Sequence, residues 1–294
     1  MTKIYNISDE AFKIGKIAMQ ATLYEVACFP SPGLVSPISN GAHKDMDYYT
    51  FIDSSVAINQ YLILCAQSGF SEKSNKEIFK EIREIGVQAE NSMFEATNGV
   101  NTHKGLLFLL GICCSAVGKT LYEHKSFDHI RKAIQNMTEG IVREELCNIK
   151  NKKVHDKNRE LSHGEKLFLK YGIEGIRGNV EKGLPVIFEY SLDFYKNAYK
   201  LNNNDRLVHT LIGIMQFCED SNILYRHSID VLKEVQDKAK YIISIGSMET
   251  EAGKKAIMQM NEEFIQRKIS PGGSADLLSV TMFLYNIKSQ LFIN

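Results

Sequence analysis

The sequence predicts an all-α fold, a single compact domain over residues 1–294 with about ten or eleven helices. Three observations carry that prediction. Apolar residues recur at helical spacing almost from end to end; no stretch alternates cleanly between apolar and polar; and clusters rich in Val, Ile and Thr, the residues that favour strands, are few. The hydrophobic share of 44% against a charged share of 24% is that of an ordinary globular chain, so the helical pattern has enough apolar surface to build a core.

The elements follow in order. Ser8 is placed to cap a first helix, with Asp9 and Glu10 in the first turn, where the helix dipole favours negative charge. Ile14, Ile17, Ala18, Ala21 and Val26 then form one apolar stripe. Residues 28–43, CFPSPGLVSPISNGAH, break the pattern and hold three of the five prolines. Helical spacing resumes over 46–68 and 75–94, and the turn TNGVNTHKG, residues 97–105, leads into a helix over 103–123 that Asn101 or Thr102 can cap. That helix contains an apolar run from Gly105 to Gly118, short of the roughly 20 residues that span a bilayer, so it reads as a buried helix. A further helix covers 127–149. The charged, polar stretch KNKKVHDKNRE, residues 150–160, follows as an exposed linker. Then come 161–171, a Gly-rich stretch YGIEGIRGNVEKGLP over 171–185, and helices over 186–200, 205–220, 223–246 and 251–267. The turn ISPGGSA, residues 269–275, precedes a last helix over 274–290 with Ser274 as its cap.

Charge and cysteine usage narrow the function classes. Lys+Arg and Asp+Glu are equal at 35 each, so the global basic excess expected of a protein on duplex nucleic acid or an anionic membrane is missing. A local basic pocket can still lie within a balanced total. The six cysteines (28, 65, 113, 114, 147, 218) make no C-x-x-C pair and have no His at ligand spacing, which predicts buried free thiols in a reducing compartment. The opening MTKIYNISDEAF has no basic stretch followed by an apolar core, so no secretion signal is expected and the predicted location is cytoplasmic.

Two tempting motifs fail. Gly118-Lys119-Thr120 resembles the end of a phosphate-binding P-loop, but the Gly required five residues earlier is Cys113 and no strand precedes it. His155-Asp156 resembles a metal-dependent phosphohydrolase motif but falls in the polar linker.

Three turns survive as candidate site segments, because the plain connection at 150–160 shows that this chain does not need Gly and Pro merely to join helices. In the first, Asn40, His43, Lys44, Asp45 and Asp47 gather at a helix start. The two Asp residues can be ordinary caps. Once helical they would point about 200° apart, so one caps while the other faces a site. Asp53, further along, is at most a supporting contact. In the second, His103 and Lys104 stand in a first turn, where the dipole disfavours cations, as it does His43-Lys44; a polyphosphate ligand explains both pairs. In the third, Gly272, Gly273 and Ser274 offer successive amides to an anion, and Asp276 can carry a divalent cation on the same phosphates. Arg177, between Gly175 and Gly178, is a candidate fork donor to phosphate, although those glycines can equally serve close helix packing.

Taken together and in this order, NGAHKDMD, TNGVNTHKG, GIRGNVEKGLP and SPGGSADLL resemble the triphosphoribosyl-dephospho-coenzyme A synthase family, from about Glu25 to about Leu284. The resemblance implies an all-α enzyme. It would move the 5-triphosphoribosyl group of ATP to the 2′-hydroxyl of 3′-dephospho-coenzyme A and release adenine. The product would pass towards an acyl carrier protein of citrate lyase or malonate decarboxylase. One departure stands out: family members read Pro-Lys-Pro-Gly-Leu-Val-Asp-Arg where this chain has Ser31, Ser36 and Pro37 in place of the charges, so residues 30–37 receive no catalytic role.

The reaction displaces adenine from C1′ and needs a base for the attacking hydroxyl. On this reading Asn40, His43, Lys44, His103, Lys104, Arg177 and the Gly272, Gly273 and Ser274 amides hold phosphates, Asp45 and Asp276 bind Mg²⁺, and either Asp47 or Glu25 is the general base. Two other readings are an all-α metal-dependent N-glycosyl hydrolase of the ADP-ribosyl type, which would release adenine from ATP alone, and a non-catalytic helical scaffold for a carrier protein, which would not bind nucleotide.

Overall fold

The computed structural model describes residues 7–149 and 161–292, and the polar stretch 150–160, with His155-Asp156, lies outside them. Among the described residues there are thirteen α-helices and no strand, only an isolated bridge between Ser36 and Ser39. The helices are α1 Asp9–Ala27, α2 Tyr48–Gly69, α3 Asn75–Ala96, α4 Lys104–Tyr122, α5 His129–Thr138, α6 His163–Tyr171, α7 Gly175–Glu181, α8 Leu192–Asn197, α9 Asn203–Met215, α10 Ser221–Arg226, α11 Ile229–Ser244, α12 Glu251–Arg267 and α13 Gly272–Leu291. Local chemistry starts several of them: Ser8 accepts from the Ala11 amide, and Asp47, Ser74 and Ser162 each close a capping box with the residue three further on.

Helix α4 is the centre of the body, packed on α2, α5 and α13, while α2 also lies against α1 and α3. It is long and apolar enough to cross a bilayer by length and composition, yet 78% of that stretch is buried within the protein, as a core helix should be. Gly118 lets α4 approach α2 closely, since a Cβ there would run into the Ala66 carbonyl and Gly69. Lys119, from the failed P-loop pattern, is buried and donates to the Ser71 carbonyl over 2.8 Å, with Glu123 3.3 Å away. One apolar core continues from Ile14 on α1 to Ile287 on α13.

Several boundaries differ from expectation, each for a local reason. The predicted helix 127–149 breaks at Gly140, whose φ of 83° no helix accommodates, and resumes as a π-helical turn over Val142–Cys147. The stretch 223–246 is two helices, because Ser228 is extended and caps a new start by accepting from the Val231 amide. The predicted 205–220 stops at Met215, and the Gly-rich 171–185 contains helix α7 rather than only a turn. His43 and Lys44 do not open a helix, since α2 begins at Tyr48. Ser274 is not a cap: α13 begins at Gly272, with Pro271 in the cap position and no side chain of its own closing the end. Five cysteines are buried as expected; Cys147 is exposed.

Candidate functional site

A cavity of about 350 Å³ opens where the C-terminal end of α1, the loop 28–47 and the starts of α2, α4 and α13 meet α6, α7 and α10. Its size falls within the roughly 300–1,000 Å³ typical of small-molecule sites. The Pro-rich loop that forms one side is tied down by side chains from distant helices. Asn204 exchanges two hydrogen bonds with the Phe29 backbone (2.9 and 2.7 Å), and Asn261 accepts from the Gly33 amide at 3.3 Å. Within the loop the Ala42 amide donates to the Gly33 carbonyl, folding His43 and Asp45 back over the opening.

The floor is acidic. Glu25, the last charged residue of α1, is only 6% exposed, and burial pushes its carboxyl up to about 8. Asp276 is surrounded by protein while part of its surface opens onto the cavity; burial first, then the charges of Glu25 and Asp220, hold it well above the usual carboxylate range. Neither carboxylate has a hydrogen bond or ion pair within the described residues. Gly105 lies against Asp276, and any Cβ there would collide with Oδ2. Asp220, just below, is different in kind. Its Oδ1 accepts from the Asn222 and Ile223 amides (3.0 and 3.3 Å), and its Oδ2 accepts from the Ser274 amide and hydroxyl (2.8 and 3.2 Å). It thereby caps α10 and α13 together.

The adjoining wall, at the start of α4, is neutral. His103 is buried, and desolvation pushes its imidazole down to about 4, so it is uncharged at neutral pH. Phe51 stands nearly perpendicular to it, with ring centroids 5.0 Å apart. The mouth is mixed in charge. Arg226 lines it without a carboxylate partner among the described residues, next to Tyr225, which stacks on His163 at 3.5 Å between centroids. His43 Nε2 lies 2.8 Å from Ser270 Oγ, and burial, aided by Arg226, lowers its pKa, while Asp45 pulls the other way.

The cavity thus brings together seven residues singled out from sequence: Glu25, His43, Asp45, His103, Gly272, Gly273 and Asp276. The other six stand elsewhere. Asp47 Oδ1 accepts from the Thr50 amide and hydroxyl, both at 2.9 Å, and serves as the cap of α2. Asn40 and Lys44 are exposed on the loop. Lys104 pairs with Glu90 beside a smaller cavity of about 120 Å³ between α3 and α4. Arg177 donates from Nε to Glu145 at 2.6 Å, and Glu145 also pairs with Arg83 at 3.0 Å. Ser274 gives its amide to Asp220.

No bound polyphosphate is therefore needed to explain either His-Lys pair. His43-Lys44 are not helical, His103 is neutral, and the anion beside Lys104 at the start of α4 is the protein's own Glu90. Sequence reading missed Arg226, Tyr225, His163 and Asp220. All but His163 stand on or just before a six-residue helix that the spacing merged into its neighbours, and His163 on α6 carries no motif.

The family model described as CitG: ATP:dephospho-CoA triphosphoribosyl transferase matches residues 11–292. A probable 2-(5″-triphosphoribosyl)-3′-dephosphocoenzyme-A synthase of Malonomonas rubra is 36% identical over 293 residues, covering 98% of this chain and 92% of that protein. One from Lactiplantibacillus plantarum is 38% identical over 270 residues, covering 91% and 94%. Protein CitXG of Leuconostoc mesenteroides subsp. cremoris is 39% identical over 278 residues, which is 93% of this chain but 59% of that longer protein. No solved structure matches.

Proposed function

Because this chain belongs to the CitG family of ATP:dephospho-CoA triphosphoribosyl transferases, we propose that the cavity floored by Glu25 and Asp276 is where the transfer takes place. The enzyme joins the triphosphoribosyl group of ATP to dephospho-coenzyme A and makes the precursor of the citrate lyase prosthetic group. The observation that carries the placement is the pair of unpartnered carboxylates on the cavity floor, Glu25 buried and Asp276 half-buried. Two such groups cannot both ionise cheaply without a cation or a proton between them, so the free site is built for something positive or for an exchangeable proton.

Glu25 is the general base in this reading. It faces the cavity, whereas the carboxylate of Asp47 is engaged at its cap. Direct attack of the 2′-hydroxyl on C1′ opposite the departing adenine needs a carboxylate on one face only, which fits one base inside the cavity. Arg226 is the cavity cation free to take phosphate, since Lys104 and Arg177 already have carboxylate partners. Asp276, with Asp45 at the mouth, would hold the Mg²⁺ that accompanies a triphosphate. No three metal-binding side chains converge among the described residues, so such an ion would complete its shell with phosphate oxygens and water. When bound it supplies neutralising charge to the triphosphate.

Asp276→Asn should lower product formation by about a hundredfold or more, read by mass spectrometry of ATP plus dephospho-coenzyme A, with helical content retained. Undiminished product would remove the cavity floor from the reaction. Asp47→Ala should behave oppositely: a modest loss of thermal stability from the lost cap, with transfer kept within a few fold. Collapse of transfer in that variant, with the fold intact, would return the base to Asp47.

A further inference from the structure

The wall made by the start of α4 carries a proton whose place two hydroxyls in series decide. Thr102 Oγ1 donates to Ser54 Oγ across 2.6 Å, and Ser54 Oγ lies 2.7 Å from His103 Nδ1. Ser54 is fully buried and has no third hydrogen-bond partner within the described residues, so its own proton has only Nδ1 to go to. A neutral imidazole holds one ring proton; with Nδ1 accepting, that proton is on Nε2. Nε2 is itself buried and has no partner, which leaves a donor without an acceptor in a ring that lines the cavity.

What this donor meets follows from charge. Arg226 stands beside Tyr225, which stacks on His163, whereas the side chains in contact with His103 are the uncharged Phe51, Ser54 and Met93. The triphosphate is drawn to the Arg226 side. The wall of His103, Phe51 and Leu109 suits a part of the substrate that is flat, uncharged and edged with acceptors. In ATP that part is adenine.

We infer that His103 recognises the adenine of ATP as a neutral donor, its Nε2–H bonding a ring nitrogen and stabilising the base as it leaves. This rests on the placement of the reaction in this cavity. In the transfer the C1′–N9 electron pair stays with adenine, the 2′-oxygen forms the new bond to C1′, and the hydroxyl proton goes to Glu25. His103 keeps its proton, and the departing base takes one from water. Its contribution is a hydrogen bond that strengthens as charge reaches the ring nitrogens.

The test is a cycle of substrate and protein changes. Wild type and His103→Leu are each given ATP, 1-deaza-ATP, 3-deaza-ATP and 7-deaza-ATP with dephospho-coenzyme A, and release of the base is followed. For one analogue, wild type should lose about a hundredfold relative to the other two, and His103→Leu should lose that distinction. Differences in intrinsic leaving ability are common to both proteins and cancel. His103→Gln, which places an amide N–H near the position of Nε2, should recover part of the rate. Ser54→Ala, which frees the proton to move to Nδ1, should weaken the analogue preference without loss of helical content, and it serves where His103→Leu fails to fold. An identical analogue profile in wild type and the variants would overturn the assignment, as would ¹⁵N chemical shifts showing the proton on Nδ1. Failure of the cavity placement would show separately, as full transfer by Asp276→Asn.

Discussion

Glu25→Gln should abolish transfer and, in the same molecule, make the ligand-free protein progressively more stable than wild type as pH rises from 5 to 8. Loss of a general base typically lowers rate by about 10²–10⁴-fold, and kcat/KM of the wild type should climb with pH towards about 8, where the free carboxyl loses its proton. The stability effect has a definite sign. The carboxyl binds its proton more tightly folded, near 8, than unfolded, near 4.5, so between those values the folded state holds a proton that the unfolded state has released. Folding stability linked to Glu25 is therefore fully present below 4.5 and is lost as pH rises through that window. A glutamine has no such proton, so the gap between variant and wild type should widen by up to about 4 kcal/mol across the window. The buried amide brings its own constant desolvation penalty, so denaturant unfolding at several pH values reads the slope rather than the offset. Parallel curves would mean that Glu25 is not buried as a proton-binding group, and unchanged transfer would mean that it is not the base.

The same residue shows how far the sequence could be read. Helical periodicity is a property of consecutive residues, so α1, α3 and α12 are legible from apolar spacing, α1 also from its Ser8 cap. Breaks set by one backbone conformation, such as Gly140 with its positive φ or the extended Ser228, do not disturb the apolar spacing and were invisible to it. At the site, motif residues on three separate turns, among them His43, Asp45, His103 and Asp276, line one cavity. Whether a motif cation is free is a tertiary matter. Lys104 and Arg177 lie beside cavity walls, yet Glu90 and Glu145, distant in sequence, neutralise them. Arg226 has no such neighbour among the described residues, and nothing local to its sequence says so. Zero net charge conceals this arrangement: an acidic floor, a neutral wall and the Arg226 guanidinium at the mouth can all sit within a balanced total.

Asp220→Ala should be among the most destabilising single substitutions in the chain and should damage substrate binding without removing a group assigned to the chemistry. The side chain is 1% exposed and satisfies three backbone amides and a hydroxyl. Helix α13 has no capping side chain of its own, so the carboxylate of Asp220 is what closes its N-terminus as well as that of α10. Alanine leaves those donors buried and unpaired, at about 1–3 kcal/mol for each fully desolvated group, and a total loss of about 3–5 kcal/mol follows once some relax towards water in the cavity. Both helices present cavity residues, Tyr225 and Arg226 from one and Gly273 and Asp276 from the other. Loosening their common fastening should raise KM for ATP more than it lowers kcat at temperatures where the variant stays folded. Asp220→Asn keeps an acceptor for the α10 amides but turns an NH₂ towards the Ser274 amide, a donor facing a donor. It should fall between alanine and wild type in thermal midpoint. An asparagine variant as stable as wild type would show that the carboxylate does not hold the two helix starts together.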